Sequence, residues 1–135
     1  MEKIIVNVGW SGKNFNASLS DNVPGAVVIT DKTFEGLITA VASTLDFHVE
    51  GMVDDGDEVP TWLINKEYEF EYKLNAAAII RKSEQYTSLA AIARASGINE
   101  RQLSHYANGL KTPRPQQRER IINGIHKIAK ELYVV

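Results

Sequence analysis

The sequence predicts an α+β protein in which a βββαβ unit precedes an all-α unit, and three observations carry that expectation. Apolar residues alternate with polar ones near the start of the chain and again at Tyr68, Phe70 and Tyr72, the period of half-buried strands. Between Phe34 and Met52, and throughout the segment after Asn75, they recur instead at steps of three and four, the period of helices. The formal charge also changes sign at the same place. Residues 1–75 hold 5 Lys and Arg against 13 Asp and Glu, a net −8, and residues 76–135 hold 10 against 4, a net +6, hidden inside an overall −2. Phosphate backbones attract the basic half and repel the acidic one, so nucleic-acid contact belongs after residue 75. The competing reading of the asymmetry is charge balance between two halves that pack together.

Ile4, Ile5, Val6 and Val8 begin a first strand that runs to Trp10, and Ser11-Gly12-Lys13-Asn14 is a turn signal. Phe15, Ala17 and Leu19 alternate with Asn16, Ser18 and Ser20 in a second strand, which makes a hairpin. The turn Asn22-Val23-Pro24-Gly25 leads to a short third strand at Val27, Val28 and Ile29, expected to be largely buried. Phe34, Leu37, Ile38, Val41, Leu45, Val49 and Met52 then share one helical face, with Asp31 or Thr33 as cap and the acidic run Asp54–Val59 before Pro60 as exit. Tyr68, Phe70 and Tyr72 form a fourth strand against Glu67, Glu69, Glu71 and Lys73. Beyond Leu74 four helices are expected: Ala76–Gln85, Leu89–Ser96, Glu100–Ala107 and about Pro115–Leu132. The expected domains are thus 1–74 and 75–135.

The stretch SLAAIARASGINERQLSHYANG, Ser88 to Gly109, contains the most informative arrangement. Ser88 is placed to cap one helix, whose Ile92 and Ala93 face inward, and Gly97 suits the left-handed turn after it. Ile98 plugs the core between two helices, Asn99 caps the second, and Leu103 and Tyr106 bury its inner face. Glu100, Arg101, Gln102, Ser104, His105 and Asn108 remain on the outer side, where a recognition helix presents side chains to base edges. The pattern resembles the phage-repressor (XRE-like) helix-turn-helix, including the Asn108-Gly109 stop and the Lys111-Thr112-Pro113 loop, over roughly residues 76–132. The resemblance implies base-facing positions for Glu100, Arg101, Ser104 and His105, and places Ser88, Asn108, Lys111 and Arg114 near phosphates of double-stranded DNA; Asn99 and Gln102 complete the ten candidate DNA-binding residues. Three roles stay open for Arg101: a bidentate contact to guanine, a phosphate contact, or an ion pair with Glu100. One position departs from the family, which often has Gln contacting the DNA backbone at the start of the first motif helix; Leu89 stands there.

The βββαβ order, the Pro24-Gly25 turn and the helix exit Gly51-x-x-Asp-Asp-Gly-Asp-Glu-Val-Pro60 resemble HicB-type antitoxins, in which a partial RNase H-like domain precedes a DNA-binding domain. With both halves the resemblance covers nearly the whole chain. It implies an antitoxin of a type II HicA/HicB-like system whose N-terminal domain masks a small basic HicA-like ribonuclease toxin, while the C-terminal domain represses the operon as a homodimer or higher homo-oligomer on operator DNA. An acidic surface facing a basic enzyme is the expected electrostatic match. The Asp54–Glu58 run is either a solvated helix exit or a direct toxin contact, and Trp10 and Trp62 are either interface anchors or core. The dimer surface is expected on Ile121, Ile125, Ile128, Leu132, Val134 and Val135, with Tyr133–Val135 as a possible pairing strand. The alternative is a stand-alone helix-turn-helix regulator whose first domain binds a ligand or mediates oligomerisation.

No enzymatic role is expected. RNase H chemistry needs several carboxylates converging on divalent metal, and the strands Ile4–Trp10 and Phe15–Leu19 carry none. His48, His105 and His126 are scattered, so no metal site, catalytic residue or cofactor is expected. The absence of cysteine excludes disulfides and thiolate chemistry. No apolar run is long enough to span a bilayer and the start lacks a leader pattern, so a cytoplasmic location without membrane contact is expected.

Overall fold

The computed structural model describes all 135 residues. Four strands, β1 (Glu2–Ser11), β2 (Asn14–Leu19), β3 (Val28–Asp31) and β4 (Tyr68–Leu74), and six helices, α1 (Phe34–Asp54), α2 (Thr61–Ile64), α3 (Ala76–Ser83), α4 (Leu89–Ser96), α5 (Glu100–Ala107) and α6 (Pro115–Tyr133), make up the chain. It is an α+β protein, a mixed four-stranded sheet with helix followed by a helical region. No helix is long and apolar enough to cross a membrane. Two compact units divide the chain: Met1–Gly9 with Lys13–Lys73, and Trp10–Gly12 with Leu74–Val135.

In the first unit the strand order is β3-β2-β1-β4. Strand β3 runs antiparallel to β2, with Ala17 opposite Ile29 and Ser18 opposite Val28. Because side chains alternate across a strand, this register turns Ala17 and Ile29 to the covered face and Ser18 and Val28 to the solvated one. Val28 is therefore 74% exposed, where its apolar run suggested a largely buried strand. A short apolar run does not reveal that only one side of an edge strand is covered. On the covered face Ile4, Val6, Val8 and Phe15 are buried together with Phe34, Leu37, Val41 and Leu45 of α1. Ile38, expected on that helical face, lies at its margin and is 43% exposed.

Helix α1 starts at Thr33, whose hydroxyl accepts the Gly36 amide at 3.0 Å. Asp31 instead accepts the Thr33 amide, at 3.0 Å, and so steadies the cap. The short α2 was not legible in the sequence; it buries Leu63 and lays Trp62 edge-on to Tyr68, ring centroids 6.3 Å apart. Tyr68, Phe70 and Tyr72 continue an aromatic row that Phe34 joins at 5.9 Å from Tyr72. His48, half-buried on α1, bonds through Nε2 to the Pro24 carbonyl at 2.7 Å and ties down the turn before β3.

The second unit is organised around Ile80, Ile92, Ile98, Leu103, Tyr106, Ala107 and Ile121, with Ile79, Leu89, Ala93, Ile125 and Ile128 packed against them. Asn75 caps α3 by accepting the Ala78 amide at 2.9 Å. That helix ends at Ser83, two residues before the expected Gln85, because the chain turns there and the amides of Tyr86 and Thr87 both donate to the Ser83 carbonyl. Helices α4 and α6 cross closely at Gly124, where a Cβ would stand 2.8 Å from Ser96 Cβ and 2.9 Å from its amide nitrogen. The expected dimer surface is corrected here in two respects. Ile121 is core and Ile125 and Ile128 lean on that core, so only Leu132, Val134 and Val135 of the named residues are exposed, at 62, 76 and 104%. The tail is also no strand, since α6 continues to Tyr133.

Two substitutions test this packing. The Tyr72 hydroxyl is buried with no hydrogen-bond partner, and burial pushes its pKa above the ordinary tyrosine value. Tyr72→Phe removes that unpaired group and is expected to raise unfolding stability by about 1 kcal/mol, read by urea melts. Gly124→Ala, although alanine is ordinarily better than glycine in a helix by ~1 kcal/mol, is expected to destabilise by about 1–3 kcal/mol through overpacking against Ser96 and to lower the melting temperature.

Candidate nucleic-acid interface

Helices α4 and α5 and the turn between them are fixed by backbone hydrogen bonding before any outward side chain is considered. Ser88 accepts the Ala91 amide at 3.1 Å as N-cap of α4. Gly97, at φ +72°, donates its amide to the Ala93 carbonyl and closes α4 in the left-handed conformation that glycine adopts without strain. Ile98 follows, buried, and Asn99 accepts the amides of Arg101 and Gln102 at 2.8 and 3.4 Å as N-cap of α5.

Along α5, Leu103, Tyr106 and Ala107 are buried, as the spacing of the first two required. Glu100, Arg101 and Gln102 are exposed on its first turn, Ser104 and His105 are half-buried, and Asn108 is exposed at its end. The Arg101 guanidinium makes no ion pair with Glu100, which removes one of its three expected roles. Gln102 is directed along the helix, its Nε2 donating to the Tyr106 hydroxyl at 2.9 Å. Lys111 and Arg114 are exposed in the loop before α6, where Pro113 is buried and Arg114 occupies the N-cap position. The ten residues named from the sequence therefore fall into two groups. Glu100, Arg101, Lys111 and Arg114 point charge outward from α5 and the following loop, with His105 half-covered among them. Ser88, Asn99, Gln102, Ser104 and Asn108 all take part in hydrogen bonds within the unit.

Three further arginines, Arg81, Arg118 and Arg120, have a clear place here. Arg120 donates to the carbonyls of Ser96 and Gly97 at 3.3 and 3.0 Å, clamping the turn, and to the Gln117 side chain at 2.8 Å. Arg118 donates to the Leu74 carbonyl at 2.9 Å. Arg81 donates through Nε to the Ala107 carbonyl at 3.0 Å and through Nη2 to Asn108 Oδ1 at 2.6 Å. No local pattern marks these residues, because their main-chain partners lie 23 to 44 positions away. Their charge still adds to the positive field of the unit, but each gives at least one donor to the protein's own main chain. Leu89, at the position where the resembled family often has Gln, is half-buried against the core.

Asp54–Glu58 are all exposed, Trp62 packs into the first unit's core, and Trp10 lies under the Arg81 guanidinium, 5.0 Å from its centre. No group of three or more His, Asp or Glu side chains could hold a metal ion. Compared with protein-family models, curated proteins and solved structures, the chain matches none.

Proposed function

We propose that the chain is a transcriptional autorepressor and antitoxin: its second unit binds operator DNA through α4 and α5, and its first unit binds and masks a small basic ribonuclease. It is not itself an enzyme, and it works in the cytoplasm. The observation that carries the reading is the two-helix arrangement of the second unit. Both helices are capped, the turn between them is closed by Gly97, and the exposed side of α5 and its following loop carries Arg101, Lys111 and Arg114. A net +6 after residue 75 supports the same reading, since phosphate neutralisation supplies much of DNA affinity. For the first unit the support is its −8, the exposed acidic run and the resemblance of the chain to HicB-type antitoxins. A palindromic operator calls for two copies with recognition helices about 34–36 Å apart. The exposed tail Leu132, Tyr133, Val134 and Val135 is an apolar surface of this unit that a second copy would cover, and Tyr86 and Leu110 are exposed as well.

Selection of duplexes from a random-sequence pool by the full chain is expected to yield a two-fold symmetric site. Arg101→Ala is expected to lower affinity for that site. If Arg101 reads a base, discrimination at one position falls by about 1–3 kcal/mol; if it holds a phosphate, binding weakens evenly across sequences and the salt slope drops by about one. Recovery of no preferred duplex would remove the DNA-binding reading. For the other half, the full chain is expected to retain one small basic protein from its native cell and to stop that protein's cleavage of RNA. A retained protein whose RNA cleavage continues unchanged would favour a stand-alone regulator.

A further inference from the structure

We propose that Arg81 is a positioning residue for α5, a clasp that sets how the recognition helix is presented to DNA and that makes no phosphate contact itself. The inference rests on the DNA-binding reading above.

A helix leaves its last four carbonyls without partners inside it. In α5 three of them are met by the following backbone: the amides of Asn108, Gly109 and Leu110 donate to the carbonyls of Ser104, Tyr106 and His105 at 3.0, 3.1 and 2.9 Å. The fourth, of Ala107, has no such partner and is met by Arg81 Nε at 3.0 Å. The same guanidinium reaches Asn108 Oδ1 through Nη2 at 2.6 Å, and Asn108 in turn donates through Nδ2 to Ser104 Oγ at 3.4 Å. Arg81 thus completes the C-terminal cap from another helix, with a cation where the helix dipole favours one. Its third nitrogen bonds Glu84 at 3.3 Å, its face lies over Trp10, and its side chain is 22% exposed. Turning it toward a phosphate would break these contacts together. A fork of parallel donors is needed to hold the Ala107 carbonyl and the Asn108 side chain at once, which a lysine ammonium cannot reproduce.

The consequence is a separation of affinity from specificity. Loss of the clasp frees the end of α5 to shift, which misaligns base contacts while phosphate contacts made by other residues persist.

The test uses the full-length chain, the duplex that the unaltered chain selects from a random pool, and an unrelated duplex of equal length, with binding measured across a salt series. Arg81→Lys, which keeps the charge, is expected to lower the ratio of selected to unrelated affinity about tenfold, equivalent to about 1.4 kcal/mol, with the salt slope unchanged. Asn108→Ala removes one prong only and guards against a fold too damaged to interpret; it is expected to lower the ratio in the same direction, with the double variant no worse than Arg81→Lys. Circular dichroism and thermal melts show that each variant is folded at the assay temperature. Three results overturn the inference: Arg81→Lys binding both duplexes as the unaltered chain does; a salt slope that falls by about one in Arg81→Gln, the mark of a phosphate contact; or lost stability with an intact affinity ratio. If the unaltered chain selects no duplex, the DNA-binding reading itself fails and takes this inference with it.

Discussion

Eight residues of helix do not hold themselves together in water, because nucleation is costly and two turns return few hydrogen bonds. Helix α5 is such a segment, so everything it presents outward depends on what its inner face buries. Leu103, Tyr106 and Ala107 enter a cluster completed by Ile80 of α3, Ile92 of α4, Ile98 of the turn and Ile121 of α6. Each neighbouring helix supplies one fully buried large aliphatic side chain, and full burial of such a group stabilises by roughly 1.5–3 kcal/mol. The close crossing at Gly124 belongs to the same constraint. Any side chain there would push α6 off α4 and open the cluster from which α5 hangs.

Polar chemistry within the second unit follows from the shortness of its helices. With α3, α4 and α5 at eight residues each, a large share of their backbone groups are terminal and need outside partners. Asn75, Ser88 and Asn99 supply acceptors at the three N-termini. Arginines supply donors where carbonyls end: Arg120 at the end of α4, Arg81 at the end of α5 and Arg118 at the end of β4. Part of the positive charge of the unit is therefore bonded to main chain, while Arg101, Lys111 and Arg114 are exposed. Counting Lys and Arg gives the field of the unit but overstates the contacts it makes.

In the first unit the governing fact is a sheet covered on one face. Ile4, Val6, Val8, Ala17 and Ile29 turn to α1, and the opposite face carries Ser18, Val28, Thr30, Glu69 and Glu71 in solvent. Strand β4 combines both demands in seven residues, its aromatic side chains joining Phe34 and Trp62 on one side and its acidic ones exposed on the other. The acidity of this half is thus a property of its surface.

Periodicity determined the order of every element but α2, the change from sheet to helix near Leu74 and most of the inward faces of α1, α4 and α5, and capping chemistry determined the turn roles of Ser88, Gly97 and Asn99, because each is written in residues a few positions apart. Tertiary structure decided the rest. Val28 is exposed because β3 lies at an edge, Ile121, Ile125 and Ile128 belong to the monomer core because α6 crosses α4 and α3, and α2 is too short for a period to register. It also decided which polar residues of the candidate interface are engaged within the unit. The resemblance places Asn108 near a phosphate, and the approach of Arg81 from 27 positions away shows that its side-chain oxygen already has a partner. Short-range pattern fixes which way a residue faces; long-range packing fixes what it meets there.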